Sequence, residues 1–233
     1  MKYITALVAG LFAGVALFAL GFYYNPLVGQ ASLSPLAVTE ERISSLSYSA
    51  VPSETILLTN DGESLSRPHP GKIAELWEPS IKDTELLVAS LTDSRGRPAG
   101  IGIKVTSPST DTRLFNSEML VDSTWLMYLP SRGLIGIYQQ ENYFSYVRDI
   151  VVPAWSSSSD SWRGAWSRIM TVGPGAHGTA RVIGLHGEFD GMQSEAVEEL
   201  NARAYSVLEG PISMTGTITV ELPSARTNEI AAN

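Results

Sequence analysis

The chain contains no cysteine, which excludes disulfides, thiolate metal sites, iron–sulfur clusters and cysteine nucleophiles. Histidine is scarce as well: His69, His177 and His186 are the only three, too few and too scattered for a histidine-rich metal centre. Basic charge is short, with 16 Lys+Arg against 24 Asp+Glu and a formal net charge of −8. Nucleic-acid binding requires a basic surface and is therefore not expected. A phosphate-cradling glycine loop with its lysine is missing, since Gly173-Pro174-Gly175 has only turn chemistry. A Gly-x-Ser-x-Gly nucleophile elbow is also missing. No catalytic residues, cofactor or metal are expected from motifs, and a non-enzymatic role is preferred over catalysis.

What the chain does have begins at residue 4. Ile4 to Tyr24 runs without a charge through ITALVAGLFAGVALFALGFYY. At about 1.5 Å per residue a helix of this length covers roughly 30 Å, the hydrocarbon thickness of a bilayer. Residues 1–24 are thus expected to form a single transmembrane anchor. The rival reading is a cleaved signal peptide with a small-residue site at Gly29-Gln30-Ala31. The run exceeds the 7–15 residues usual for a signal core, which favours the anchor. Lys2 is the only basic residue before Arg42, and the bias of such residues places the N-terminus in the cytoplasm. The body would then be extracytoplasmic, and periplasmic in a bacterium. Gly10 and Gly14 form a small-xxx-small pattern that permits close helix pairing.

Residues 25–82 read as a tether and irregular lead-in, rich in proline and turn residues. From 83 to 223 the pattern becomes that of strands, and 224–233 reads as a flexible tail. Thr84 to Thr92 and Ala99 to Thr106 flank the turn-rich Asp93–Pro98. Met119 to Leu129, Leu134 to Gln140 and Tyr143 to Val152 follow as further strand-like runs. In Ser194 to Ala204, Ala196, Val197, Leu200 and Ala204 fit a helix period, yet the flanking strands favour a strand. In the closing run Ile212, Met214, Ile218 and Val220 alternate with Ser213, Thr215, Thr217 and Thr219. The apolar set, with Trp162 and Trp166, is expected inside and the threonines outside. The fold class is mainly β: an N-terminal transmembrane helix followed by an antiparallel β-barrel, lipocalin-like or allene oxide cyclase-like.

Trp125, Trp162, Trp166 and Met170 are the bulkiest residues on inward-reading faces and are the candidate wall for an apolar ligand. His186, Glu188 and Asp190 in GLHGEFDG would share one strand face and so suggest a metal or acid–base site. Gly187 and Gly191 instead favour a surface turn. The run GTARVIGLHGEFDGMQSEAVEEL, followed by EGPISMTGTITVEL, resembles the C-terminal hairpins of the allene oxide cyclase and dirigent-like β-barrel group. Gly184 to Gly191 matches the group's glycine-rich turn, with Phe189 at its aromatic position and His186 in place of a small residue. The resemblance covers roughly the last quarter of the chain. It implies an eight-stranded barrel, often trimeric, with an apolar cavity. The group's catalytic positions have no match here.

Three roles are compatible with these features. The first is a membrane-anchored barrel binding an apolar small molecule or lipid, and the second a non-catalytic accessory subunit of a membrane complex. The third is a cyclase- or isomerase-like enzyme using polar groups inside the barrel. Expected partners are the membrane through the N-terminal helix, an apolar ligand, and a homo-oligomer or larger membrane complex.

Overall fold

The computed structural model describes residues 10–18, 43–51, 54, 57–60, 63–66 and 83–222. Twelve strands make one antiparallel sheet: β1 (Ile43–Ser49), β2 (Leu57–Asn60), β3 (Glu63–Ser66), β4 (Glu85–Thr92), β5 (Pro98–Pro108), β6 (Leu120–Leu129), β7 (Gly133–Asn142), β8 (Ser161–Ile169), β9 (Thr171–Gly173), β10 (Ala180–Gly187), β11 (Gln193–Ser206) and β12 (Gly210–Glu221). Eight of them close on themselves in the order β1-β12-β11-β10-β7-β6-β5-β4, and β4 returns to β1 through Ser47 and Thr92. The β2–β3 hairpin extends from β4. β8 pairs with β11, and β9 pairs with β7.

Alternation decides which side chains enter the ring. Leu91, Trp125, Met127, Ile135, Ile137, Leu200, Ile218 and Val220 are buried in one core cluster. Trp125 fits because β5 offers a glycine: a Cβ on Gly102 would lie 2.7 Å from the indole. In β12, Ile218 is 1% exposed while its neighbours Thr217 and Thr219 are half-buried. Ile218→Ala is accordingly expected to cost about 2–5 kcal/mol in chemical denaturation. Thr217→Ala should cost far less, and equal losses would contradict the register.

Three expectations need correction, and one left open is decided. The ring begins at Ile43, well inside the segment 25–82 read as lead-in, because Leu46 and Tyr48 alternate between serines that face outward. Serine-rich alternation lacks the β-branched residues that mark a strand. Tyr143 to Val152 is helical: Phe144–Tyr146, a π-helical Val147–Val151 and Val152–Ser156 run continuously. Burial of Phe144, Ile150 and Ala154 outweighs the strand preference of its valines, and Asn142 Oδ1 accepts the Phe144 N–H at 2.9 Å. Ser194 to Ala204, open between helix and strand, is the strand its flanks favoured. Ile212 is 43% exposed, beside the register shift between Ala202 and Tyr205 that interrupts the alternation of the β11–β12 pair.

Among the described residues no helix is long and apolar enough to cross a membrane. Residues 10–18 are helical, and a Cβ on Gly10 or Gly14 would meet nothing within 4 Å. The rest of the expected anchor, and the tail 224–233, lie outside the described residues.

The outer surface is two-sided. On β5, β6, β7 and β10 it shows Ile101, Ile103, Val105, Leu126, Tyr128, Tyr138 and Leu185, all exposed. The register places Ile101 beside Tyr128 and Ile103 beside Leu126, so these residues adjoin. The opposite side, on β11 and β12, carries Glu195, Glu199, Thr215, Thr217 and Thr219.

Candidate functional site

The middle of the ring interior is charged. Lys104, on β5, occupies an inward position, since its neighbours Ile103 and Val105 point out. Its Nζ lies 2.8 Å from Glu141 Oε1 of β7 and 2.8 Å from Glu198 Oε1 of β11. Both glutamates are fully buried, and Lys104 is 4% exposed. Two of the three ammonium donors are thereby used.

Glu198 is the most heavily hydrogen-bonded member. Tyr48 OH donates to its Oε1, and Gln139 Nε2 donates to its Oε2. Trp125 Nε1 donates to the same Oε2 at 2.9 Å. Thr171 fixes the arrangement from behind, donating to Gln139 Oε1 at 3.0 Å and accepting the Glu198 backbone N–H at 2.8 Å. Tyr48 and Trp125 meet edge to face at 4.9 Å, and the Lys104 ammonium stands 5.5 Å from the indole centroid. Glycine again makes the room: a Cβ on Gly216 would lie 2.1 Å from the Tyr48 ring.

Glu141 is held differently. Its Oε2 and the neighbouring Ser123 Oγ are both buried and complete no hydrogen bond. Burial, then the charge of Glu198, pushes the Glu141 carboxyl up to about 7, against the pull of Lys104 and Ser123. For Glu198 burial acts the same way, but Lys104 and the hydrogen bonds from Lys104, Tyr48 and Trp125 prevail and hold it below the usual carboxylate value. Burial works against the Lys104 charge, yet Glu141 and Glu198 more than offset it and raise the ammonium well above its ordinary value. Burial and then Glu198 raise Tyr48; burial and then Glu141 raise Tyr143, so both phenols stay protonated. Two carboxyls on one lysine therefore differ in role, one firmly ionised and one divided between its forms near neutral pH.

A pH dependence follows. The folded Glu141 binds its proton more tightly than the unfolded chain does, so stability falls as pH rises from about 4.5 to 7. The shift from 4.5 to about 7 corresponds to roughly 3 kcal/mol. Glu198 has the opposite sign, and its contribution disappears as pH falls below the ordinary carboxylate range. Glu141→Gln should remove the decline between pH 4.5 and 7 measured by urea denaturation. An unchanged decline would assign it to another group.

The residues singled out from sequence are distributed unevenly. Trp125 lies in this cluster. Trp166 and Met170 are buried and Trp162 is half-buried, in the region where Tyr146 meets Trp166 at 5.8 Å. His186, Glu188 and Asp190 are exposed where β10 ends; Glu188 pairs with Arg132 at 2.7 Å, and none joins the cluster. No group of three or more metal-ligating side chains occurs among the described residues. Tyr48, Lys104, Ser123, Gln139, Glu141, Thr171 and Glu198 escape motif reading altogether. Their one signal is parity: Glu198 sits in step with Ala196, Leu200 and Ala202, and Gln139 and Glu141 in step with Ile135 and Ile137.

No protein-family model matches the chain, and no curated protein matches it.

Proposed function

We propose that the ring is an eight-stranded barrel whose interior performs proton transfer on a small, mainly apolar molecule carrying one oxygen function. The reaction is of the isomerase or cyclase type. The observation that carries this reading is the buried Lys104–Glu141–Glu198 cluster, in which Glu141 Oε2 completes no hydrogen bond of ordinary geometry and has only the Ser123 hydroxyl near its carboxyl besides Lys104. Burying three ionisable groups is costly, and a core of this size needs none of them for packing. Glu141 Oε2 would take a proton from a carbon next to a carbonyl. In a β,γ-unsaturated carbonyl compound the electron pair left behind delocalises as a dienolate, whose oxygen meets the remaining Lys104 donor and whose γ carbon is the second site for protonation. Return of the proton from Glu141 to a second carbon completes the isomerisation without any redox partner. Trp125, Trp166 and Met170 would supply apolar wall, which keeps the expected apolar-ligand role as the binding half of the same activity. The resemblance to the allene oxide cyclase and dirigent-like group supports the architecture. The run Ile4 to Tyr24 would hold this body at a membrane, facing outward.

The test is deuterium incorporation. Wild-type protein in D2O is incubated with a panel of apolar ketones, aldehydes and enones. Exchange next to the carbonyl is expected with at least one, and Glu141→Gln should lower it by about 10²–10⁴-fold. Exchange that survives the substitution, or none with any compound, would contradict the proposal.

The exposed apolar face of β5, β6, β7 and β10 favours a second reading, an accessory subunit of a membrane complex. The two readings use opposite sides of the same strands.

A further inference from the structure

We propose that the β1–β4 seam is the substrate's route into the ring. Tyr48 is its gate, and the cleft above it receives an uncharged, oxygen-bearing head group while rejecting carboxylates. This rests on the acid–base reading of the interior, but its test needs no turnover.

Every other joint of the ring is a ladder of several residue pairs; β1 makes seven with β12, and β4 makes eight with β5. β1 and β4 meet at one pair alone, Ser47 with Thr92. A side-chain clasp reinforces it, Thr92 Oγ1 donating to the Ser47 carbonyl at 3.2 Å. Directly over this joint lies a cleft of about 330 Å3. Tyr48 belongs both to its lining and to the buried cluster, through the bond from its hydroxyl to Glu198 Oε1. That same carboxylate oxygen also holds Lys104. Rotation of one phenol ring therefore connects the cleft with the ammonium. On the β12 side the ring packs directly against Gly216, where any Cβ would collide with it.

The lining chemistry selects the ligand. Ser47, Ser49, Ser90, Thr92 and Thr215 offer hydroxyls, Glu54 offers a carboxylate, and no lysine or arginine stands among the described residues of the lining. A neutral alcohol, aldehyde or ketone finds donors and acceptors there. A carboxylate would bring its full charge past Glu54 outside to an interior where two glutamates already share the one Lys104 ammonium, so it is disfavoured by like charge and desolvation.

The absence of native cysteine permits a clean test. Ser47→Cys/Thr92→Cys in the full-length protein places one disulfide across the seam, on outward-facing side chains. NMR then follows solvent exchange of the Trp125 indole N–H, identified by its loss in Trp125→Phe, with the Ile137 backbone amide as a core reference. Oxidation is expected to slow Trp125 exchange about tenfold relative to the reduced form, with Ile137 little changed. Tyr48→Ala should accelerate it. Equal exchange in both redox forms would overturn the seam as the route, as would parallel slowing of Trp125 and Ile137. Decanol and decanoate serve as probes of the head-group rule. A Trp125 indole shift with decanol and none with decanoate is expected. A shift with decanoate, or none with decanol, would overturn the selectivity. Failure of the deuterium experiment with success here would remove the reaction and keep the binding route.

Discussion

Glu198→Gln is expected to destabilise the protein by about 3–5 kcal/mol, the usual cost of breaking a buried charge pair by removing one partner. Glu198 accepts from Tyr48, Lys104, Trp125 and Gln139, and all four donors are aimed at its two oxygens. An amide keeps the volume but exchanges one acceptor for an NH2 that must point at other donors. It also leaves Lys104 with Glu141 alone, a carboxyl already reluctant to ionise. Urea midpoints at pH 7 measure the loss. A change below about 1 kcal/mol would mean that the four bonds contribute no more than an ordinary surface interaction.

Lys104→Met should cost a similar amount, with a pH signature that identifies the cause. Without the ammonium, Glu141 and Glu198 stand buried with no counter-charge, and both hold protons to higher pH. The unfolded chain ionises them near the ordinary value, so the variant loses stability as pH rises above about 4.5. At acid pH the penalty relative to wild type should shrink. Replacing all three residues together with the donors to Glu198, as Lys104→Met/Glu141→Leu/Glu198→Leu/Tyr48→Phe/Gln139→Leu, should recover much of the loss, because apolar side chains of similar volume satisfy a dry interior and leave only the Trp125 N–H without its acceptor. Recovery of stability with complete loss of deuterium exchange would separate structural from chemical roles. A combined variant as unstable as the single one would instead give the cluster a structural purpose.

The strand pattern was readable where one face is wet. In β12 the threonines marked the outside, and Ile218 and Val220 marked the inside. In β11 it was less legible, because most side chains on the outer face are partly covered. The helical segment 144–156 was misread since its valines and aromatics have strand propensity, and only tertiary packing of Phe144, Ile150 and Ala154 decides otherwise. β1 was invisible for the reverse reason: serine is neutral in propensity, and its partner β12 lies some 170 residues away, as the Ser47–Thr217 contact shows.

The site was hidden by the same non-locality. Lys104, Glu141 and Glu198 come from three strands separated by 37 and 94 residues from the lysine. No spacing rule joins them. In β5 the apolar residues Ile101, Ile103 and Val105 invite the reading that they face the core, which would put Lys104 outside. The opposite is true, and the glycines at 100 and 102 are the local hint, since bulky neighbours from β6 occupy the interior beside them. The string His186, Glu188, Asp190 drew attention by proximity in sequence, yet it sits on a turn. Residues that look chemical when adjacent were peripheral here, while isolated charges on apolar strand faces converged.

Carbon-13 NMR of the glutamate side-chain carboxyls, titrated from pH 3 to 9, tests most directly whether this interior is an acid–base centre. The expected result is one carboxyl with a midpoint near 7 that vanishes in Glu141→Gln, and one that remains ionised below the ordinary range and vanishes in Glu198→Gln. Finding every glutamate titrating together near its ordinary value would contradict the account.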